Sequence, residues 1–169
     1  MDGLTDPGSN RPMSTVVVLT IVAALSGGMV AGAFLAFSTF VVQGLDRNPP
    51  PVAIAAMQGI NVTAPHPLFM LPLFGGPLVG LAAAALALTG DGDVAGGWVV
   101  VGAVVGLVPA LMTAGFHIPR NSALDRVDPE APDAAAAWAR YVREWVGGNH
   151  VRTLGGLVGA AAMTIALVA

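Results

Sequence analysis

The sequence predicts an all-α fold, an integral membrane bundle of four helices, and two observations lead to this prediction. Hydrophobic residues make up 55% of the chain and charged residues 10%, whereas soluble domains carry about a quarter charged residues. Charged residues are also absent from four long stretches, of 34, 43, 26 and 17 residues, at 12–45, 48–90, 94–119 and 153–169. Because a membrane-crossing helix needs roughly 20 mainly apolar residues, each stretch indicates one span.

The four spans are predicted near 16–42, 66–89, 97–116 and 151–169. They form a membrane domain at 15–169, which follows a polar N-terminal tail at 1–14. The first span is too long for the core of a signal peptide and lacks a basic start, so we expect it to stay on the chain. Each span contains a Gly-xxx-Gly pair, which indicates close packing of membrane helices but no particular dimer. A homo-oligomer stays open as a partner. Each proline inside the second and third spans removes one helix hydrogen bond and leaves a backbone carbonyl without its donor. The resulting kinks either widen the bundle into a pocket or only bend the helices.

The distribution of arginine predicts the orientation in the membrane. Six of the seven arginines lie in the loops at 43–65 and 118–150 or directly after the second loop, at Arg152. Short connections make neighbouring helices antiparallel, so these two loops share one face of the membrane. The positive-inside rule then places both loops in the cytoplasm and both termini outside the inner (plasma) membrane.

Two further helices are predicted on the cytoplasmic side. A short loop helix at 51–62 begins with prolines, which suit the first position of a helix, and it carries Gln58 and Asn61 on one face. The second helix runs over 133–146 and ends at Gly147-Gly148.

An aromatic stripe marks the second of these helices, formed by Trp138, Tyr141, Val142 and Trp145. Tryptophan and tyrosine favour the headgroup region, so we expect an interfacial amphipathic helix that lies on the cytoplasmic membrane surface. The alternative is that the stripe lines a pocket, with Trp145 as its main contributor.

Composition excludes several functional classes. The chain has no cysteine, so it has no disulfide, thiolate metal site or cysteine nucleophile. A net charge of -3 and the lack of a basic run give no reason to expect nucleic acid as a partner. Phosphate-binding, dinucleotide-binding and Gly-x-Ser-x-Gly motifs are also missing. The partner that composition does indicate is membrane lipid.

Polar residues gather at the cytoplasmic ends of the predicted spans: His66, His117, His150, Gln58, Asn61, Asn121, Asn149 and Arg152. Polar and ionisable groups at the membrane boundary are candidates for function. Structural roles are the alternatives. Asn149 suits the N-cap of the fourth span, Arg152 can snorkel to the headgroups, and His66 lies between two prolines in what resembles a rigid loop.

The three histidines raise the question of a metal, since imidazole binds copper, iron and zinc. They are 51 and 33 residues apart, no pair has the i, i+4 spacing of ligands on one helix, and no carboxylate is paired with them. We therefore predict no metal site and no cofactor, and keep a metal or haem protein as an alternative.

Four sequence strings, taken in order, resemble the anthrone oxygenase-like family of small four-span membrane proteins. They are FLAFSTFVVQGL, AMQGINVTAPHPLFM, FHIPRNSALDRVDP and WARYVREWVGGNHVRTL, at 34–45, 56–70, 116–129 and 138–154. The resemblance covers nearly the whole chain from about residue 18. Most bacterial members of this family have no known function.

The resemblance implies an activity, since the characterised fungal members oxidise an anthrone to an anthraquinone with oxygen and without a recognised cofactor. In the hypothesis that this activity suggests, His150 or His117 is the catalytic base, Arg152 is the partner of the oxyanion, and the substrate is a lipophilic aromatic. The residues carried over as substrate-binding are Gln58, Asn61, Asn121, Trp145 and Asn149. Position 117 departs from the family, which more often has asparagine there. A non-catalytic accessory subunit or small-molecule-binding protein is the alternative function.

Overall fold

The computed structural model describes residues 13–90 and 94–169, and these two stretches form five helices and no strand. The helices are α1 (Thr15–Asp46), α2 (Pro50–Thr63), α3 (Pro67–Leu88), α4 (Gly96–Leu124) and α5 (Ala134–Ala166). The predicted all-α fold is confirmed. The predicted polar tail at 1–14 lies almost wholly outside the described residues.

Three of the described helices, α1, α3 and α4, are long and apolar enough to cross a membrane. This agrees with the membrane protein that the composition predicts. The helix of the third predicted span, α4, continues to Leu124, beyond the predicted end of that span at 116. The C-terminal half of α5 contains Asn149 and Arg152, which lower its hydropathy, and the fourth span stays a prediction.

The C-terminal half of α5 packs closely against both α1 and α4, and glycines make this approach possible. A Cβ atom added to Gly156 would lie 2.9 Å from the Cβ of Ala31 on α1. A Cβ added to Gly159 would lie 3.0 Å from the backbone of Gly106 on α4. These distances are too short for larger residues, so close packing, as the Gly-xxx-Gly pairs predict, is present along this part of α5.

The prediction that a helix ends at Gly147-Gly148 is wrong, because α5 runs without a break from Ala134 to Ala166. Neither glycine has the positive φ of a helix C-terminus, which among the described residues occurs only at Gly90. A Cβ added to Gly148 would collide with the ring of Phe116. Gly148 is therefore required for close contact with α4.

The aromatic stripe of α5 is buried within the chain, which corrects its predicted position on the membrane surface. Trp138, Tyr141 and Trp145 are 3%, 7% and 4% exposed. They pack in a cluster with residues of α1, α2 and α4, and the indole Nε1 of Trp138 donates a 2.8 Å hydrogen bond to Oδ1 of Asp46 at the end of α1. The N-terminal half of α5 is therefore part of the protein core, together with α2.

Candidate functional site

A cavity of about 320 Å³ lies where α2, the N-terminal half of α3 and the C-terminal half of α4 meet α1 and α5. This volume is at the lower end of the range of small-molecule sites, about 300–1,000 Å³. Most of the lining is apolar and includes Phe34, Phe37, Met57, Phe69 and Leu73. The polar side chains that line it are Asn61, Thr113, His117, Asn121, Ser122, Asp125 and Arg152.

The three membrane-type helices that border the cavity each contain one π-helical turn, at Phe37–Val41, Leu71–Gly75 and Thr113–His117. Each turn contributes lining residues: Phe37 from the first, Leu73 and Phe74 from the second, Thr113 and His117 from the third. Single π-helical turns are rare and frequently lie at functional sites. Their convergence on one cavity marks it as the candidate site.

Arg152 on α5 is the cation of this cavity, and it is only 4% exposed. Its Nη2 donates a 2.5 Å hydrogen bond to Oδ1 of Asn149, and its Nη1 donates a 3.1 Å bond to Oγ1 of Thr113. Its Cζ lies 3.9 Å from the ring centroid of Phe34 and 5.2 Å from that of Trp145. The guanidinium is thus held between two aromatic rings and two neutral polar groups.

Arg152 has no carboxylate at ion-pair distance within the described residues, where Arg120 and Glu144 form the only ion pair. Its buried Nε also finds no acceptor in that part of the chain. Burying a charged group costs several kcal/mol of desolvation free energy, and attraction to a buried partner of opposite charge can offset a cost of this size. The guanidinium of Arg152 is therefore a buried cation whose contacts among the described residues are all neutral.

Asn149 fixes the position of Arg152. It is fully buried, and its Nδ2 donates 2.6 Å hydrogen bonds to the backbone oxygen of Phe34 and to Oγ of Ser38, both on α1. These two bonds turn the amide oxygen towards Arg152. Because Asn149 lies in the interior of α5, it is not the helix N-cap that one interpretation of the sequence predicts.

His117 is buried at the end of the third π-helical turn, with 1% of its surface exposed. Its Nδ1 lies 3.1 Å from the backbone oxygen of Met112, and its Nε2 lies 3.3 Å from that of Trp145. A neutral imidazole has one N–H donor and one lone pair, so only one of these contacts is a hydrogen bond. To accept a proton from a ligand, the ring would have to leave one of the two carbonyls.

Asn121 lies one helical turn after His117 and faces two aromatic residues of α5. Its Oδ1 accepts hydrogen bonds from the hydroxyl of Tyr141 at 3.0 Å and from Nε1 of Trp145 at 3.1 Å. Burial raises the pKa of Tyr141 above its ordinary value, so its hydroxyl remains a donor. The amide nitrogen of Asn121 has no acceptor among the residues that the structure describes and is free to donate to a ligand.

Asp125 and Asn61 join α2 to the end of α4 at the exposed side of the cavity. The Nδ2 of Asn61 donates a 3.0 Å hydrogen bond to Oδ1 of Asp125. Both residues line the cavity, and the side chain of Asp125 is exposed. This pair brings a carboxylate to the site.

A family model described as Anthrone oxygenase matches residues 67–162, which is more than half of the chain. The chain belongs to this family. No curated protein and no solved structure matches the chain. The matched segment contains Asn149 and six of the seven polar side chains that line the cavity: Thr113, His117, Asn121, Ser122, Asp125 and Arg152.

In this anthrone oxygenase family member, the cavity brings together most of the residues that the sequence predicts as a site. Asn61, His117, Asn121, Trp145 and Arg152 line the cavity, and Asn149 lies directly behind Arg152. The predicted roles of these residues in catalysis and binding stay predictions.

Two predicted site residues lie elsewhere in this family member. The Nε2 of Gln58 donates hydrogen bonds to the backbone oxygens of Leu124 and Val127, at 3.0 and 2.9 Å, so Gln58 holds the C-terminal end of α4. His150 is exposed and does not line the cavity.

The three histidines do not come together as a metal site in the part of the chain that the structure describes, where no group of three histidine, aspartate or glutamate side chains has suitable geometry. His66 lies at the start of α3, where its Nδ1 accepts a 3.3 Å hydrogen bond from the backbone N–H of Leu68.

The sequence-based prediction missed Thr113, Ser122, Asp125 and the phenylalanines of the lining. A signal for two of them is present in the spacing. Thr113 and Asp125 lie four residues before His117 and four residues after Asn121, and side chains at this spacing share one face of a helix. Extending the candidate face of α4 by one turn in each direction would have found both.

Proposed function

We propose that this protein is an integral membrane oxygenase that oxidises a lipophilic anthrone- or quinol-like aromatic in the cavity beside Arg152, without a cofactor. The observation that carries the proposal is the buried guanidinium of Arg152, which has no anionic partner among the described residues. Family membership and the apolar, aromatic lining of the cavity support it.

The proposed reaction uses oxygen as the only oxidant. A base removes one methylene proton from the anthrone, and the electron pair of the C–H bond moves into the ring to give an enolate. The enolate carbon forms a bond to O₂ and transfers its electrons, and protonation of the resulting peroxide gives a hydroperoxide. Loss of water from the hydroperoxide forms the second carbonyl. One anthrone and one O₂ therefore give one anthraquinone and one water.

Arg152 stabilises the enolate in this scheme. The negative charge of the enolate lies mainly on its oxygen, and the guanidinium is already oriented by Asn149 and Thr113. Fixed charges act strongly where little water reaches them, as at Arg152, which is only 4% exposed, and loss of one oxyanion donor typically lowers kcat by about 10²–10³. The N–H donors of Asn121 are available to a second oxygen of the substrate.

The proposed site is reached from the membrane. In this proposal the C-terminal half of α5 is the fourth span of a four-helix bundle, with both termini outside the plasma membrane and the cavity near its cytoplasmic side. Arg152 faces α1 and α4 inside the bundle, so its charge is kept from the lipid. A flat apolar substrate dissolves in the bilayer and enters the cavity from there.

Oxygen uptake by the purified protein in detergent, after addition of an anthrone, tests the proposal. Heat-denatured protein is the control, since anthrones also oxidise without a catalyst. We expect faster uptake than in the control, formation of the quinone, and no loss of rate when a metal chelator is added. A rate equal to the control would contradict the proposed oxygenase and favour an accessory or binding protein. Loss of activity with the chelator would contradict the cofactor-independent mechanism.

A further inference from the structure

We propose that Asp125 is the base that removes the methylene proton, with Asn61 as its positioning residue. This inference rests on the proposed function and names the catalytic group that the proposal leaves open. It assigns a role to the hydrogen-bonded pair that joins α2 to α4 at the exposed side of the cavity.

Asp125 is the only carboxylate that lines the cavity within the described ranges. Its Oδ1 accepts the 3.0 Å hydrogen bond from Asn61, while its Oδ2 has no donor from the described residues. One carboxylate oxygen thus fixes the orientation of the side chain, and the other keeps its lone pairs for a proton.

The histidines are less suited to this step in the observed arrangement. Both ring nitrogens of His117 lie against backbone oxygens, and His150 lies outside the cavity. The remaining polar groups of the lining are amides, hydroxyls and the guanidinium, which do not accept protons near neutral pH. Asp125 is the group of the lining that is both basic and unobstructed.

Arg152 and Asp125 lie at opposite ends of one row of polar residues in the cavity. Thr113, His117 and Asn121 on α4 and Asp125 directly after it follow each other at intervals of four residues, and all four line the cavity. Arg152 binds Thr113 at one end of this row, and Asp125 forms the other end. The carbonyl and the methylene of an anthrone lie at opposite positions of its central ring. In the proposed binding mode, the oxygen of the anthrone faces Arg152 and its methylene faces Asp125.

This arrangement provides an acceptor for the proton and a site for the electron pair that it leaves behind. The methylene proton moves to Oδ2 of Asp125, and the electron pair of the broken C–H bond shifts to the carbonyl oxygen beside Arg152. Asp125 is exposed, so it can release the proton to water and return to the carboxylate. An aspartate can deprotonate a carbon acid when an oxyanion site stabilises the enolate, as in ketosteroid isomerase.

The test compares Asp125→Asn with Asp128→Asn, using oxygen uptake with an anthrone. Asp128 is an exposed aspartate of the same segment that does not line the cavity, so Asp128→Asn removes the same charge outside the site. We expect turnover to fall by about 10²–10⁴ in Asp125→Asn, the usual contribution of a general base, and to stay unchanged in Asp128→Asn. With anthrone deuterated at the methylene, we also expect a larger isotope effect in Asp125→Asn, because proton removal becomes the slowest step.

A second variant separates a chemical role from a structural one. In Asp125→Ala, added acetate reaches the exposed side of the cavity and is expected to restore part of the lost turnover, while chloride at equal ionic strength is not. Wild-type turnover in Asp125→Asn, or no rescue of Asp125→Ala by acetate, would overturn the role of Asp125 and leave the oxygenase proposal standing. A wild-type protein without anthrone oxidation would overturn both proposals.

Discussion

Arg152 donates a 2.5 Å hydrogen bond to Asn149, one helical turn earlier on α5. Asn149 in turn donates to Phe34 and Ser38 on α1, and Arg152 donates to Thr113 on α4. This chain of neutral hydrogen-bonding groups connects three helices through one buried cation. The same contacts that hold the helices together therefore orient the charge at the cavity.

Asn149→Ala is expected to destabilise the protein. The change removes two 2.6 Å hydrogen bonds to α1 and leaves buried polar groups without a partner, a loss of about 1–3 kcal/mol for each group. Thermal unfolding in detergent measures this effect. Asn48→Ala is the control, since Asn48 is exposed and bonds only within its own helix end. Equal melting temperatures of the two variants would contradict the structural role of Asn149.

A carboxylate placed beside Arg152 is expected to block the site. Thr113→Asp puts an anion where Arg152 now meets a hydroxyl at 3.1 Å, whereas Thr113→Val removes the hydroxyl without adding charge. Like charges about 4 Å apart repel by about 4 kcal/mol at an effective dielectric constant of 20. Titration with the phenolate form of a hydroxyanthraquinone should therefore show binding weakened tenfold or more in Thr113→Asp. Similar affinities of the Asp and Val variants would contradict an anion site at Arg152.

The close packing of α5 predicts that substitution of two of its glycines by alanine has opposite effects on the stability of the protein. In Gly159→Ala the new Cβ meets the backbone of Gly106 at 3.0 Å, and overpacking of this kind costs about 1–3 kcal/mol. In Gly147→Ala the new Cβ meets nothing within 4 Å, and the better helix propensity of alanine adds up to about 1 kcal/mol. Melting temperatures of the two variants measure the difference. A stable Gly159→Ala variant would contradict the observed approach of α5 to α4.

The proposed orientation in the membrane can be tested by cysteine labelling, because the natural chain has no cysteine. Glu130→Cys lies between α4 and α5, and Ala169→Cys lies at the C-terminus. We expect a membrane-impermeant maleimide to label Ala169→Cys in intact cells and Glu130→Cys only after permeabilisation. The reverse pattern would contradict termini that lie outside.

The helical fold and the apolar helices α1, α3 and α4 could be predicted from the sequence, because each lies in a long stretch with few or no charged residues, although α4 continues beyond its predicted end. The continuity of α5 could not, since a Gly-Gly pair is found both at helix ends and where two helices touch. Gly148 belongs to the second class only because Phe116 lies against it, and this contact joins residues far apart in the chain.

Only part of the candidate site could be predicted, because the rest depends on side-chain directions and on contacts between residues far apart in the chain. Counting polar residues near the span ends finds Asn121, Asn149 and Arg152, but it does not separate His117, which lines the cavity, from His150, which does not. Only the direction of each side chain on its helix decides this. Asp125 acquires its place through a hydrogen bond with Asn61, 64 residues away, and no local pattern indicates that pairing.

A comparison of turnover between the variants Arg152→Gln and Arg143→Gln tests most directly the claim that Arg152 stabilises the enolate. Both arginines lie on α5, but Arg143 is exposed and does not line the cavity. Oxygen uptake with an anthrone should fall by about 10²–10³ in Arg152→Gln, the usual loss for an oxyanion donor, and stay unchanged in Arg143→Gln. The melting temperature of each variant controls for folding. If folded Arg152→Gln turned over at the wild-type rate, the claim that this buried cation stabilises the enolate would be contradicted.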